Sequence, residues 1–403
     1  MAYDHGPNAP GGGSERQGGA MGAESASMAM AWVYDLNSCR GPTGVTRHAL
    51  AQLDRLIARP EIELTVVSGR IAEPDGLAYW ETLGDREHAP RRKELPIGTR
   101  NALRAWRFLP WPPLEIWTGR LDWIYCPAEY YVPTHRARRA VTSHDVLQDV
   151  RYGGNSRRDL LGHAFGSADR VLSVSTFNTE QLLERFPECE GKVRVVPNAA
   201  DDLFFAGPTG GERARVRGQV GLRPDQPFLL SVANFQPRKN LPRLVRAAGR
   251  LPEVASGELA LVLVGEGEPG PAEAIRREVA ALGPKAKVVM PGYLQGTALR
   301  ALYAEAEALA FPSTCESFGI PAVEAMAQGC PVALADSTAL PEIAGEAGWY
   351  FDPEQEEAIT ATLRRVLDDE AGRSRRVEVG RSVAAAFRWD RAHEALMAAL
   401  GDE

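Results

Sequence analysis

The feature that most constrains this chain is a series of short β-branched or apolar runs, each followed by a longer helical stretch, that occurs twice in succession. Strands separated by helices do not close as hairpins. They cross over, lie parallel and are covered by helices on both faces. In the first series AWVYDL (31–36) reads as the opening strand, followed by a glycine turn and an amphipathic helix in GPTGVTRHALAQLDRLIA. ELTVVSG (63–69), WIYCP (123–127), AVTSHD (140–145), the helix-then-strand of RDLLGHAFGSADRVLSVS (158–175) and KVRVVPN (192–198) complete that half. GPTGGERARVRGQVG (207–221), rich in glycine and charge, reads as a boundary with a lead-in helix. The second series has strands at FLLSVA (228–233), LALVLVG (259–265), KVVMPG (287–292), ALAFPS (308–313) and PVALAD (331–336).

The expected architecture is α/β, with two facing Rossmann-like, doubly wound domains over 31–206 and 207–385. Ligand is expected in the interdomain cleft, beyond the carboxyl ends of the strands. A chain of 403 residues suits two such domains. Residues 1–30 hold seven glycines and no apolar period, and read as a disordered tail outside the fold. That segment lacks the basic start and apolar core of a secretory signal, and no apolar run in the chain is long enough to span a bilayer. Five cysteines, odd in number and never spaced C-x-x-C, suit a reducing cytoplasm rather than a disulfide framework or zinc site. A net charge of −7 gives no reason to expect nucleic acid as a partner.

Two segments carry chemistry. In PSTCESFGIPAVEAMAQGCPV (312–332) a strand gives way to a turn bearing Glu316, and Pro321 fits the first turn of a helix. Glu324 follows one turn in, and Ser317, Phe318, Gly319 and Ile320 offer unpaired backbone N–H groups at the helix start. Two carboxylates with donors between them suit a ligand with hydroxyls at both ends. Acidic residues are also favourable near any helix start, so spacing alone fits either reading. In SVANFQPRKNLPRLVRAAGRL (231–251) Arg238 and Lys239 occupy a strand-to-helix turn, as a diphosphate requires and as a solvated basic turn also allows. The chain contains no D-x-D, and its seven histidines show no metal-ligand spacing, so no metal site is expected.

Together these segments resemble glycosyltransferase family 4, of the GT-B fold, over residues from about 31 to the C-terminus. The family's E-x7-E pattern is matched by Glu316 and Glu324, and its phosphate-binding R-K-N by Arg238, Lys239 and Asn240. VVPNAAD (195–201) is similar to the end of the family's first domain, and FRWDRAHEAL (387–396) to the C-terminal helix that crosses back to it, so 386–403 is expected to do the same. The resemblance implies a nucleotide-sugar as donor substrate and no cofactor. Arg238 and Lys239 would hold the diphosphate, Glu324 the ribose, and Glu316 the donor sugar beside the backbone of Ser317 to Ile320. It also implies retention of anomeric configuration, with the leaving phosphate taking the acceptor's proton. Gly44 in CRGPTGVTRHAL would let backbone approach the donor, and His144, at the end of AVTSHDVL, would lie near the reacting sugar. GEGEPG (265–270) formally fits a dinucleotide fingerprint but lacks the acidic residue after the next strand. It reads instead as a turn at the nucleotide base, with Gly265, Tyr293 and Leu294 lining the donor site. Ala233, followed by Asn234, stands where the family usually has glycine, which is expected to narrow the space near the diphosphate.

His144 and R-K-N resemble members that use GDP-mannose, so mannosyl transfer in polysaccharide or glycoconjugate synthesis is the first expectation. A UDP-sugar-dependent enzyme and a non-catalytic nucleotide-sugar-binding homologue are the alternatives. Residues 88–117 break the strand–helix alternation. Between 86 and 107 lie seven Lys/Arg against two Glu, and aromatic side chains follow. A basic, aromatic segment suits an anionic membrane surface or a lipid-linked saccharide acceptor, and a packed helix with a solvated basic face has the same composition. Arg91, Arg92, Trp106 and Trp111, with His144, are the expected acceptor-side residues.

Overall fold

The computed structural model describes residues 27–39 and 43–402, with the backbone alone for 148–157. Residues 1–26 of the expected tail lie outside the described residues. Thirteen strands among the described residues form two sheets, and every pairing within them is parallel. The first sheet holds β1 (Met28–Val33), β2 (Ile62–Ser68), β3 (Arg91–Glu94), β4 (Trp123–Cys126), β5 (Arg138–Ser143), β6 (Arg170–Ser173) and β7 (Val193–Val195). Its order is β3-β2-β1-β4-β5-β6-β7. The second holds β8 (Phe228–Val232), β9 (Ala260–Val264), β10 (Val288–Gly292), β11 (Ala308–Phe311), β12 (Val332–Ala335) and β13 (Gly348–Phe351), ordered β10-β9-β8-β11-β12-β13. In each sheet the chain starts near the middle, winds to one edge, returns and winds to the other. That reversal opens a crevice at the strands' carboxyl ends.

The opening strand starts and ends three residues earlier than the apolar run in the sequence suggests. Met28, Ala29 and Met30 pair in register with Ile62, Glu63 and Leu64. The strand stops because Asp35 turns its carboxylate onto the Asn37 amide and caps a 3-10 turn over Leu36–Ser38. β3 and β13 were not expected from the sequence. β3 is an exposed, charged edge strand, and Gly348–Phe351 is a four-residue run without alternation.

The C-terminal helix, Trp389–Gly401, packs on the first sheet rather than the second. Leu396, Ala399 and Leu400 are buried in the same apolar cluster as Trp32, Leu53 and Leu172. Each of the two leucines contributes about 1.5–3 kcal/mol to that core. Polar contacts fix its register: Gln52 and His393 meet at 3.0 Å, and Arg55 Nε reaches Asp390 at 2.7 Å. The chain thus crosses between the sheets twice. The two crossings lie side by side, joined by a parallel bridge between Ala200 and Arg388 and by the bond from Ala200 N to Phe387 O (3.1 Å).

Candidate active site

A cavity of about 450 Å³ lies between the two sheets. The first domain contributes Gly44 and Arg47 from the start of the Gly44–Ile57 helix, Glu129 from the β4–β5 connection and His144 from the end of β5; the second contributes Asn234, Arg238, Lys239, Gly265, Tyr293, Leu294 and the Glu316–Ile320 turn with Glu324.

The Glu316–Ile320 turn is shaped by glycine. Gly319 has φ +101°, and a Cβ there would lie 2.6 Å from the Leu340 side chain. The glycine is needed for the backbone and for packing against Leu340. Pro321 occupies the first turn of the Ile320–Ala327 helix. Thr338 Oγ1 accepts from Glu316 N at 3.0 Å and fixes the base of the turn.

The Arg238–Lys239 turn is a 3-10 turn, Pro237–Lys239, ended by Asn240 in the left-handed conformation at φ 56°. Asn240 donates to Pro353 O (2.7 Å) and Pro312 O (3.3 Å), so this third member of R-K-N locks the turn with its side chain. The two cations and Glu316 form one buried network. Lys239 Nζ is ion-paired with Glu316 Oε1, and Arg238 Nη1 lies 3.4 Å from Oε2 while donating to Cys315 O at 2.6 Å. Burial alone would push the Glu316 carboxyl up. Lys239 and then Arg238 outweigh it and hold the group below its ordinary 4.5, so it is a fixed anion.

Glu324 belongs to a second network. It is 1% exposed and accepts from Tyr303 OH at Oε2 (2.9 Å). Its Oε1 lies 2.6 Å from Arg47 Nη2, which comes from the Gly44–Ile57 helix of the first sheet. Burial drives its carboxyl upward; Arg47 is the main opposing influence, and the net direction is up.

On the opposite wall, His144 follows β5. Its Nε2 donates to Pro127 O at 2.8 Å. Glu129 Oε1 accepts from His144 N at 2.7 Å. The neighbouring His48 is fully buried between Asn198 and Tyr125, at 3.0 and 3.1 Å, and meets His144 edge-on at 4.9 Å. Burial and then the nearby His144 hold His48 well below 6.5. Ser175 caps the Thr176–Arg185 helix and also donates to Ser317 O at 2.6 Å. Asp145 accepts from Ser317 Oγ, and Glu342 accepts from Thr176 N and Phe177 N, both at 2.8 Å, so several bonds tie the domains together at the cleft.

Gly44 also lies across from the second sheet: a Cβ there would stand 3.5 Å from Ile320 Cδ1. Gly265 has φ +141°, and a Cβ would collide with Ala233 O at 1.9 Å.

The acceptor residues taken from 88–117 do not join the site. Trp106 is 3% exposed and sits in the first domain's core near Trp117, because Thr99, Ala102 and Trp106 form the inward stripe of the Thr99–Phe108 helix. Arg91 and Arg92 lie on the edge strand β3; Arg92 donates to Trp80 O at 2.9 Å and stacks over its ring. Trp111 is exposed but does not line the cavity.

Sequence reasoning missed Arg47, Glu129 and Tyr303. Arg47 stood inside a quoted motif, one turn beyond its glycine; Tyr303 and Glu129 carried no motif at all. Among the described residues no group of three or more His, Cys, Asp or Glu side chains is placed to hold a metal ion. No described helix is long and apolar enough to cross a membrane.

Comparison with known proteins agrees with this geometry. A family model described as "Glycosyltransferase Family 4" matches residues 42–202, and one described as "Glycosyl transferases group 1" matches 212–383. The chain is 28% identical over 365 residues to the O-antigen chain mannosyltransferase B of Escherichia coli, covering 86% of this chain and 93% of that one. It is 33% identical over 221 residues to the MMP alpha-(1->4)-mannosyltransferase of Mycolicibacterium hassiacum, covering 52% of this chain and half of that protein. Among solved structures, sucrose-phosphate synthase from Thermosynechococcus elongatus superposes with a TM-score of 0.70 at 21% identity, over 92% of this chain and 98% of that one. The fold is GT-B, and the chain is a glycosyltransferase that belongs to family 4.

Proposed function

We propose that this protein transfers a hexose, mannose in the first instance, from a nucleoside diphosphate sugar to an acceptor hydroxyl with retention of anomeric configuration. The observation that carries the reading is the Arg238–Lys239–Glu316 network at the cavity wall. A departing diphosphate develops charge that two preorganised cations stabilise without reorganisation. Glu316, fixed as an anion, accepts from hydroxyls of the donor sugar, and Glu324 from the ribose. The bond from the anomeric carbon to the phosphate oxygen breaks as the acceptor oxygen attacks from the same face, and that phosphate oxygen takes the acceptor's proton. No side chain is required as base, so positioning and electrostatics supply the catalysis.

Similarity to two mannosyltransferases supports mannose; GDP-mannose is the donor proposed, and a UDP-sugar is the alternative. The acceptor is read as a saccharide, free or lipid-linked, in polysaccharide synthesis, with the enzyme on the cytoplasmic side of the membrane. Within 88–117 the membrane-contact reading moves to a different set of side chains. Phe108, Leu109, Trp111 and Ile116 are 82%, 62%, 61% and 57% exposed, and Arg100, Arg104 and Arg107 precede them in the chain. Exposed aromatic and aliphatic groups beside arginines suit an anionic lipid surface.

The decisive experiment is thermal stabilisation by GDP, UDP and their sugars, followed by a transfer assay with the stabilising donor. Ligand that binds only the folded state raises the unfolding midpoint by mass action. Stabilisation by GDP compounds is the expected result; stabilisation by UDP compounds alone would replace the mannose reading, and none by either would remove the donor assignment.

A further inference from the structure

One cation in the cavity is not used by the donor reading. Arg47 is carried by the first domain, yet its guanidinium meets Glu324 of the second at 2.6 Å. The same nitrogen donates to Asp201 Oδ2 at 2.9 Å, and the guanidinium lies 6.0 Å from the Phe204 ring centroid. Asp201 is held in turn by Trp389 Nε1 at 2.8 Å. Arg47 is therefore anchored beside the two chain crossings and meets Glu324, whose other oxygen is held by Tyr303. The charged and titratable groups that act on Glu324 are Arg47, Tyr303 and Asp201, with Tyr293 also coupled to it. Arg47 is the cation among them, and Asp201 disfavours the carboxylate. A carboxylate this buried is costly unless it is paired.

We propose that Arg47 is a positioning residue for the nucleotide: reaching across from the acceptor-side domain, it keeps Glu324 a fixed, charged acceptor for the vicinal diol of the donor's ribose. This rests on the reading that Glu324 takes the ribose hydroxyls. A carboxylate accepts two hydroxyls at once, whereas a protonated carboxyl offers a donor where one acceptor stood. The nucleotide site is then complete only when the two domains meet.

The test is calorimetric titration with GDP and UDP between pH 6.5 and 9, comparing Arg47→Met, Arg47→Lys and Glu324→Gln with the unaltered chain. The readout is the ratio of variant to wild-type Kd, which cancels titration of the nucleotide itself. For Arg47→Met the ratio is expected to be tenfold or more at pH 6.5 and to fall toward one by pH 9, as Glu324 ionises without its cation. Arg47→Lys is expected to give a flat ratio, and Glu324→Gln a raised ratio at every pH. A pH-independent ratio for Arg47→Met, at any level, overturns the proposal. Arg47→Gln serves the same comparison if the methionine variant does not fold. Dideoxy analogues lacking the 2′ and 3′ hydroxyls separate two failures. If the wild type binds them as well as the natural nucleotides, Glu324 is not the diol's acceptor and the donor reading falls. If the wild type prefers the diol and Arg47→Met keeps that preference at every pH, only the role of Arg47 falls.

Discussion

Asp145 and Ser317 are hydrogen-bonded across the cleft, the Ser317 hydroxyl donating to Asp145 Oδ1 at 2.8 Å. Asp145 lies two residues beyond the end of β5, and Ser317 begins the row of backbone amides at the helix start. A hydrogen bond to a charged group contributes about 1.5–3 kcal/mol. Ser317→Ala is therefore expected to lower kcat/KM by roughly tenfold or more, and to lower the unfolding midpoint by several degrees. Steady-state kinetics beside a thermal melt checks both halves; unchanged kinetics would mean the bond has no part in turnover.

Lys239 and Glu316 are expected to fail together. Lys239→Met leaves Glu316 buried with only the more distant Arg238. Breaking such a pair costs about 3–5 kcal/mol of stability. The double variant Lys239→Met/Glu316→Gln is expected to recover stability but not transfer. Denaturant unfolding with a donor-turnover assay distinguishes the two effects.

Two buried histidines set an acid limit on stability. Burial holds His48 well below 6.5, and burial, then Arg59 and Arg55, lower His393 to about 4. Both groups stay neutral in the fold. As pH falls below 6.5 the unfolded chain binds protons that the native state refuses, so stability falls. The slope is about 1.4 kcal/mol per pH unit for each histidine. Urea unfolding at pH 7, 6 and 5.5 is expected to show this decline, and His48→Gln to reduce its slope.

Gly265→Ala is expected to destabilise the second domain. The added Cβ meets Ala233 O at 1.9 Å, and a φ of +141° is one that alanine rarely adopts. A drop of several degrees in the unfolding midpoint, with weaker nucleotide binding, would be the signature.

The basic, aromatic segment divides into core and surface. Trp106→Ala removes a 3%-exposed side chain and is expected to cost about 3–5 kcal/mol. Phe108→Ala/Trp111→Ala is expected to leave the melt unchanged and to reduce sedimentation with anionic vesicles at low salt. Vesicle binding that is untouched by the pair would place the membrane contact elsewhere or nowhere.

Much of this was legible because strand–helix alternation and local turn chemistry are written in contiguous residues. Pro321 after Gly319, and Arg238 and Lys239 after β8, announce strand-to-helix turns without knowledge of the fold. β3 was not legible: RRKE has neither apolar character nor alternation, and it is a strand only because β2 offers it an edge. Trp106 was misread because composition does not say which face of a helix turns inward. The Arg47–Glu324 contact was invisible for a different reason. Its partners are 277 positions apart in different domains, and nothing in either local sequence refers to the other.

The return of the Trp389–Gly401 helix to the first sheet makes that domain discontinuous in the gene. A fragment ending near residue 206 would leave the groove for Leu396, Ala399 and Leu400 open to water. Recombining this half with another donor domain therefore needs two junctions, one on each of the adjacent crossings at Ala200 and Arg388. A single splice would transplant a domain without its own last helix.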